Sequence, residues 1–343
     1  MKSVDKKKKA YARAGVDIDL GNRLKRQIQS LVKQTHGPEV LGKMGGFGGL
    51  FCANSSEMRE PILVASIDSV GTKLKIAFAT DKHDTVGIDL VNHCVDDIAV
   101  LGARPLFFLD YIGCERLEPR VFEQLLRGLS RACRSASCAL LGGETAQMPG
   151  MYRKSEYDLA GCIIGVVERE EIIDGQKLRP GDAILGLASN GLHTNGYSLA
   201  REILFGKMHL KVSSRVPGST MTLGKELLRV HKNYQPLLAK IPSGVIKGLA
   251  HITGGGLIDN LPRILPPNCG AVIEAKSWKV PRIFQILQQN GKIDLREMYQ
   301  VFNMGIGMAA VVAEQNADRA MSILRAKRIG RIERGSGKTV LKL

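Results

Sequence analysis

Four glycine-rich turns carry the backbone chemistry that a phosphate site needs. They are GKMGGFGG (42–49), LGGET (141–145), SNGLHTNG (189–196) and TGGG (253–256). Glycine allows a close approach of backbone N–H groups to an anion and adopts positive φ, as a phosphate-binding loop requires. None of the four turns fits the Walker pattern GxxxxGK[ST] or the dinucleotide pattern GxGxxG after a strand. The sequence therefore argues against a Walker-type or Rossmann-type nucleotide site.

Aspartates close to these turns suit a hard cation. Asp68 ends the apolar run PILVASID, and the following SVGTK brings a hydroxyl and the ammonium of Lys73 just beyond a small-residue turn. Asp89, Asp96 and Asp97 lie in one helix-like segment, in which residues 89 and 96 share a face. Mg²⁺ takes one or two carboxylates and completes its shell with water and substrate phosphates. N-capping and surface solvation are the alternative roles, and both stay open at this point.

Histidines and cysteines give a weaker signal. The seven cysteines are scattered among apolar neighbours without a C-x-x-C pair, so the sequence favours buried thiols. Only His93 beside Cys94 resembles part of a zinc site, and the spacing does not favour metal binding there. His193 lies between two turns that could bind a phosphate, although a lone histidine in a loop is more often structural.

Length, composition and charge set the class of protein. A chain of 343 residues, 44% hydrophobic and 24% charged, predicts a globular protein of two domains. The first twenty residues hold no apolar run, and nowhere do eighteen uncharged apolar residues follow one another, so we expect a cytoplasmic protein without a membrane segment. The net charge of +16 is dispersed and aromatic residues make up only 5%, which argues against nucleic acid as a partner. Nucleic-acid binding stays the second class of function.

Alternating strand-like and helix-like segments position these residues. In the first half, PILVASID, PLFFLDYIG and YDLAGCIIGVVE predict strands, CALLGGET predicts a strand that turns at Gly142 and Gly143, and EPRVFEQLLRGLSRACRSAS predicts an amphipathic helix. The segment TVGIDLVNHCVDDIAVLGARP is predicted to begin extended and to become helical. The turn at Pro180 and Gly181 indicates a new unit, and we expect domains at 1–172 and 173–343.

The second half is also predicted to mix helices and strands. A buried strand, a small-residue loop and a helix follow the turn, and a helical stretch is predicted from about Gly224 to Ala239. After the loop HITGGGLIDNLPRIL, the pattern predicts strands at AVIEA and GIGMAAVVA and helices at PRIFQILQQNG and ADRAMSILRAK.

A series of sequence blocks resembles one enzyme family. The blocks are YARAGVDIDLGN, GGFGG, DSVGTK, GIDLVNHCVDDIAVLGARPLFFLDY, GGETAQMPGMY, GLHTNGYSLAR, HITGGG, LPRILP and EMYQVFNMGIGM. In this order and spacing, from about Tyr11 to the last strands, they look like the phosphoribosylformylglycinamidine cyclo-ligases. The resemblance implies a ligase of de novo purine biosynthesis that uses ATP to close formylglycinamidine ribonucleotide to aminoimidazole ribonucleotide, with release of ADP and phosphate.

The resemblance also implies a fold. It implies an α/β (α+β) protein of two mixed domains, acting as a homodimer on a small ribonucleotide. The N-terminal domain would bind nucleotide and pair its sheet across the dimer into a β-barrel. The C-terminal α+β layered domain would close the active-site cleft.

The resemblance further implies ATP and Mg²⁺ as cofactors and assigns residues to them. Asp68 and Asp97 would hold the metal and act in catalysis, and His193 would be a catalytic or substrate contact. The nucleotide-binding residues would be Gly45, Gly46, Gly48, Asp68, Lys73, Asp97, Gly143, Glu144 and Thr145. The substrate-binding residues would be Ser189, Asn190, Gly191, His193, Thr194 and Asn195. The polar end of GETAQMPGMY would then face nucleotide and metal, while Pro149 and Gly150 fix the turn.

Two positions depart from the family pattern, and related families share the implied fold. Ser69 replaces a common glycine, which would place a Cβ in a turn where positive φ is expected, and Gln147 replaces a common glutamate. The related families are selenophosphate synthetase, thiamine-monophosphate kinase, the hydrogenase-maturation dehydratase and the synthetase of the preceding purine step. Cys52 follows the first glycine loop instead of preceding it, and the sequence closes on VLKL without a cysteine. These features disfavour the selenophosphate and hydrogenase families.

Overall fold

A four-stranded sheet organises the N-terminal half of the chain. The computed structural model of the protein describes residues 14–41, 48–53 and 57–343. A short antiparallel pair, β1 (Val40–Leu41) and β2 (Leu50–Phe51), precedes the sheet. The sheet itself contains β3 (Pro61–Ser69), β4 (Arg104–Cys114), β5 (Ala139–Gln147) and β6 (Tyr157–Glu168), in the order β3-β6-β4-β5. Strand β6 is antiparallel to β3 and β4, whereas β4 and β5 are parallel.

Helices cover one face of this sheet. They are α1 (Ile18–Lys33), α2 (Leu74–Thr80), α3 (Asp84–Ala99) and α4 (Pro119–Ser135). Helix α1 begins where the Asp17 carboxylate accepts a hydrogen bond from the Leu20 N–H, and α4 begins with a proline, which needs no N–H partner there. Helix α3 lies against β3, β4 and β6 and is covered by α4, so nearly all of its residues are buried.

A six-stranded sheet organises the C-terminal half. Its strands are β7 (Ala183–Ala188), β8 (Ile246–His251), β9 (Cys269–Glu274), β10 (Ile306–Val312), β11 (Lys327–Arg334) and β12 (Thr339–Lys342), in the order β12-β9-β11-β7-β10-β8. Only the β9–β12 pair is parallel within this sheet. Its helices are α5 (Tyr197–Arg201), α6 (Leu223–Leu227), α7 (Gln235–Leu238), α8 (Gly256–Asn260), α9 (Arg282–Gly291), α10 (Leu295–Val301) and α11 (Ala317–Leu324). Helix α5 continues into a π-helical segment, Glu202–Lys207.

The two halves share one hydrophobic core. A single cluster of buried side chains contains Val70 and Leu90 from the first half and Tyr197 and Leu227 from the second. The connection between β6 and β7 spans residues 169–182 and contains the boundary predicted at 172/173, which stays a prediction. Among the described residues, no helix is long and apolar enough to cross a membrane.

The mixed α/β architecture expected from the sequence is confirmed, but three local predictions are wrong. Helix α3 is helical from Asp84 onward, because the apolar residues that suggested extended chain are buried against both the sheet and α4. Strand β5 does not turn at Gly142 and Gly143, since both residues pair with β4. The stretch 224–239 is two short helices separated by a loop, residues 228–234.

Two further positions correct or confirm turn assignments. Ser69 is the last residue of β3 and is not in the positive-φ region, which Gly71 adopts instead with φ +53°. The predicted conflict between the Ser69 Cβ and a left-handed turn is therefore wrong. Gly150 has φ +90° next to Pro149, which confirms the turn after β5. Gln147 connects this region to α1, because its side chain bonds to the backbone of Asp17.

Helices α3 and α4 cross closely at two glycines. A Cβ on Gly128 would collide with the carbonyl oxygen of Asp84 and lie 3.2 Å from the Cα of Gly87. A Cβ on Gly87 would lie 2.5 Å from the carbonyl oxygen of Leu125. Because the obstacles are backbone atoms, a larger residue at either position must separate the two helices.

We expect Gly128→Ala to lower the free energy of unfolding by about 1–3 kcal/mol, as overpacking of a close contact does. The matched control is Gly21→Ala in α1, where an added Cβ meets nothing within 4 Å. Alanine is the better helix former, so the control should be neutral or more stable by up to about 1 kcal/mol. Urea unfolding of the three proteins measures both changes, and a Gly128→Ala protein as stable as the control would contradict the close crossing.

Candidate active site

Two carboxylates meet at the end of β3. Asp68 lies at the end of this strand and Asp97 on α3, and their side chains are 40% and 23% exposed. Both contact the same imidazole, since His93 Nε2 lies 2.9 Å from Asp68 Oδ2 and 3.9 Å from Asp97 Oδ2. The structure thus brings together the two residues that the sequence predicted as metal ligands.

Hydrogen bonds keep both carboxylates charged. Burial alone would raise the pKa of Asp68, but the hydrogen bond and charge of His93 outweigh it and hold the pKa below its ordinary value. The pKa of Asp97 is lowered in the same way, because a hydrogen bond from His251 Nδ1, 2.7 Å from Asp97 Oδ1, outweighs its burial. Burial acts against the charged form of His93, yet the carboxylates raise its pKa above the ordinary value. The pair can therefore offer anionic oxygens to a cation at neutral pH.

Lys73 is buried behind these carboxylates and does not face solvent. Its Nζ lies 2.8 Å from Asp89 Oδ1 and donates to the carbonyl oxygens of His193 at 2.9 Å and Arg229 at 2.7 Å. Burial lowers the pKa of Lys73 and raises that of Asp89, and the charge of each partner opposes these shifts. All three donor directions are used, so in this structure Lys73 positions other residues and offers no free N–H to a phosphate.

The loop 189–196 follows β7 and presents two layers of residues. Its outer layer holds Ser189, Asn190 and Asn195, which are exposed or half-buried. Bonds to neighbouring elements fix this layer, with Ser189 Oγ donating to Asn303 Oδ1 at 2.9 Å and Asn190 Nδ2 to the Val230 carbonyl at 2.8 Å.

The inner layer consists of Gly191, His193 and Thr194, which are buried. His193 is only 1% exposed and has φ +62°, and among the described residues its two ring nitrogens have no hydrogen-bond partner. Burial lowers its pKa well below the ordinary value, so the imidazole is neutral. Thr194 Oγ1 lies 2.8 Å from His93 Nδ1 and thereby connects this loop to the carboxylates.

The predicted residues of β5 lie away from the carboxylates within one chain. Asp68 pairs with Gly161, Gly161 with Asp110, and Asp110 with Gly143, which places these four residues in one row across the sheet. Three strand spacings separate the ends of the row, about 14 Å. Gly143, Glu144 and Thr145 therefore do not meet Asp68 within the single chain, and their place in one shared site stays a prediction.

Other predictions fall outside these contacts. Gly45 and Gly46 lie outside the described residues, and the described Gly48 has nothing within 4 Å of an added Cβ. A cavity of about 310 Å³ lies elsewhere, between Ala99, Arg104, Glu171, Lys177 and Leu238, and contains none of the predicted site residues. We place the site by its carboxylates and loop, since the cavity lacks the residues that this chemistry needs.

Sequence reasoning missed three histidine partners of the site. Within the described residues, His93, His231 and His251 converge with His193, and the ring centroids of His193 and His231 are 4.2 Å apart. The sequence signals were weak: His93 stands beside Cys94, and His251 lies at the end of an apolar run in front of TGGG.

Comparison with known proteins fits this geometry. The family described as "AIR synthase related protein, N-terminal domain" matches residues 58–167, and its C-terminal counterpart matches residues 179–342. A protein of Syntrophotalea carbinolica named phosphoribosylformylglycinamidine cyclo-ligase is 52% identical over 318 residues, which are 92% of this chain and 91% of that protein. This chain belongs to the phosphoribosylformylglycinamidine cyclo-ligase family.

Solved structures extend the cyclo-ligase fold to more distant proteins. Thiamine-monophosphate kinase from Stenotrophomonas maltophilia superposes with a TM-score of 0.67 at 17% identity, covering 92% of this chain and 95% of the kinase. Hydrogenase maturation protein HypE, solved in complex with ATP, has a TM-score of 0.63 at 19% identity and covers 92% of this chain and 90% of its own. At these identities the likeness shows a common fold.

Replacement of Lys73 tests its positioning role. Lys73→Met keeps the length of the side chain but removes the positive partner of the buried Asp89 carboxylate and the donor of two carbonyl oxygens. We expect the free energy of unfolding to fall by about 3–5 kcal/mol. The control is Lys75→Met, since Lys75 pairs with Glu156 at 2.6 Å but is 34% exposed, and its loss should cost at most about 1 kcal/mol. Equal losses in urea unfolding would contradict the role of Lys73.

Proposed function

We propose that this chain closes the imidazole ring of aminoimidazole ribonucleotide, from formylglycinamidine ribonucleotide and ATP, with release of ADP and phosphate. Family membership along both domain matches carries the proposal, at 52% identity to a named cyclo-ligase over 92% of the chain. The paired carboxylates beside a glycine-rich loop support it. Activity in purine biosynthesis and a cytoplasmic location are parts of the same proposal.

The reaction must make an amide oxygen leave. Transfer of the γ-phosphoryl group of ATP to the formyl oxygen converts this oxygen into part of a phosphate leaving group. The amidine nitrogen then attacks the activated carbon, the carbon–oxygen bond breaks, phosphate departs and the nitrogen loses a proton. Such chemistry asks the protein mainly to position the reactants and to stabilise charge on the moving phosphoryl group.

Asp68 and Asp97 are the residues that would hold Mg²⁺ on the nucleotide. Both carboxylates are partly exposed and face a common space beside His93, and their pKa values lie below the ordinary value. An oxygen-rich pair of this kind fits a hard cation, which would offset the charge on the transferred phosphoryl group.

The loop 189–196 is the proposed site of the ribonucleotide. The outer layer is accessible to a ligand and offers hydroxyl and amide groups from Ser189, Asn190 and Asn195. Gly191, His193 and Thr194 form the buried layer beneath. We propose that His193 acts on the substrate from this layer, because its neutral ring has two nitrogens without partners among the described residues.

A homodimer is the proposed assembly. Leu63 and Ile67 on the edge strand β3 are 66% and 73% exposed, although both are large and apolar. A second copy paired against this sheet would cover them and continue it toward the β-barrel that the resemblance implies. Such pairing could also bring residues 143–145 of one chain close to the carboxylates of the other, a contact that the single chain does not make.

The reaction is tested by omission of one substrate. With purified protein, ATP and Mg²⁺, ADP should form when formylglycinamidine ribonucleotide is present and stay near background without it, with aminoimidazole ribonucleotide as the product. Phosphorylation of thiamine monophosphate under the same conditions would favour a kinase of the same fold. ATP hydrolysis that ignores the ribonucleotide would overturn the assignment.

Neutralising the carboxylates tests the metal site. Asp68→Asn and Asp97→Asn should each lower turnover by about two orders of magnitude, the scale of one strong electrostatic contact. Higher Mg²⁺ should restore part of the loss, since the metal is bound more weakly. Thermal melts without nucleotide should fall only slightly, because an asparagine oxygen can still accept the bond from His93 or His251.

The matched control for this experiment is Asp158→Asn. Asp158 also lies on a strand of the same sheet, and its Oδ1 accepts a hydrogen bond from the next backbone N–H at 2.9 Å, as Asp68 does from Ser69 at 2.6 Å. Its side chain is exposed. Turnover should stay unchanged in Asp158→Asn, and wild-type turnover in Asp68→Asn would exclude Asp68 as a ligand.

A further inference from the structure

Three buried side chains direct ligand atoms at one point in the interior. Asp96 comes from α3, His231 from the loop 228–234 and His251 from the end of β8, and their ligand atoms lie within 4.8 Å of one another. His231 Nε2 is 3.0 Å from His251 Nε2 and 3.4 Å from Asp96 Oδ2. Asp96 and His231 are fully buried, and His251 is 6% exposed.

The opposite atom of each residue is held by a separate partner. His251 Nδ1 donates to Asp97 Oδ1 at 2.7 Å, and His231 Nδ1 lies 3.3 Å from Thr194 Oγ1. Asp96 Oδ1 accepts from the Tyr234 N–H at 2.8 Å. Histidine ligands of metals usually donate their other ring N–H to a carboxylate or another oxygen, which fixes the ring orientation. The three residues thus have the surroundings that metal ligands have.

The inward-facing atoms lack the partners that a closed hydrogen-bond network would provide. Asp96 Oδ2 is buried and has no hydrogen-bond donor within the described part of the chain. The two facing Nε2 atoms can share only one proton in a bond between neutral rings. Around a tetrahedral zinc ion with bonds of about 2.0–2.1 Å, ligand atoms lie about 3.3 Å apart. The contacts of 3.0 and 3.4 Å are close to this spacing.

We propose that Asp96, His231 and His251 bind one Zn²⁺-type ion. Two imidazole nitrogens and one carboxylate oxygen suit Zn²⁺ and related transition metals, whereas Mg²⁺ prefers oxygen ligands only. The site is separate from the Asp68–Asp97 pair, since His251 faces Asp97 through Nδ1 and the ion through Nε2. It does not depend on the proposed reaction.

The other histidine-containing group in the described chain is less suited to the same ion. His93, Asp97 and His251 also lie close together, but His93 Nε2 already contacts Asp68 Oδ2 at 2.9 Å and His251 Nδ1 contacts Asp97. An ion there would have to break both contacts. At Asp96 Oδ2 it would instead supply a missing partner.

The ion would join the two halves of the chain. One ligand comes from α3 in the N-terminal half, and the other two come from the C-terminal half. The ring of His193 lies beside that of His231, so the same ion would also fix the wall of the loop 189–196. Binding should therefore stabilise the native protein by mass action.

The test is metal binding to the purified full-length chain. After chelator treatment and dialysis, Zn²⁺ or Co²⁺ is added, excess metal is removed by gel filtration, and the retained metal is counted by mass spectrometry. We expect one Zn²⁺ per chain, retained in excess Mg²⁺, a higher melting temperature, and the visible absorption of four-coordinate Co²⁺. Less than one tightly bound ion per chain, or no rise in melting temperature, overturns the proposal.

Variants locate the ion. Asp96→Asn and His231→Gln should weaken Zn²⁺ binding by more than about tenfold, since loss of an outer-shell partner of a ligand already costs about tenfold or more. The control is His83→Gln, because His83 is also buried and hydrogen-bonded, with Nδ1 2.9 Å from Tyr157 Oη, but lies outside the cluster. Retention equal to wild type in Asp96→Asn and His231→Gln would assign the metal to another place. If one variant fails to fold, the wild-type count still tests whether one ion is bound, and the other variant still tests where it is bound.

Discussion

The geometry of the active site depends on one buried ammonium group. Lys73 Nζ bonds to a carboxylate of α3 and to two backbone carbonyls of the C-terminal half, and the side chain is fully buried. A charge removed from water is stable only when its partners are in place, since the desolvation penalty is several kcal/mol. The two halves must therefore keep this arrangement. The bond from Lys73 also fixes the carbonyl of His193, a residue with a left-handed backbone conformation.

Helix α3 makes further charged hydrogen bonds to the C-terminal half along its length. Asp89 accepts the His231 N–H at 2.6 Å, Asp96 accepts the Tyr234 N–H at 2.8 Å, and Asp97 accepts from His251. These three carboxylates of the helix thus each have a donor in the C-terminal half. Hydrophobic contacts between the halves are non-directional, whereas these hydrogen bonds form in only one relative position of α3 and the C-terminal half. The polar face of α3 therefore fixes how the two halves meet, which the shared apolar core alone does not.

Local sequence patterns revealed the carboxylates but not their partners. Asp68 could be predicted because it ends a strand beside a small-residue turn, whereas Asp97 was one of three aspartates in a helix-like segment and was assigned to the metal through the family resemblance. The bond between His251 and Asp97 joins residues 154 positions apart, and no local spacing reports such a contact. Glycines misled the prediction of β5, since Gly142 and Gly143 suggest a turn but pair with β4. The sequence pattern was sufficient to predict α4 and β10. Helix α4 is buried on one side and shows an amphipathic period, whereas β10 is buried on both faces and shows a continuous apolar run.

The net charge of +16 and the acidic site act together on anionic ligands. Asp68 and Asp97 alone would repel the phosphates of ATP and of a ribonucleotide, and buried Asp89 and Asp96 lie behind them. Arg120 and Arg127 are each 63% exposed, and they pair with the carboxylates of Asp81 and Glu123. A basic envelope raises the local concentration of anions, and a divalent cation between carboxylate and phosphate reverses the repulsion at short range. A net positive charge is thus compatible with the small anionic substrates of the proposed function and does not require a nucleic-acid surface.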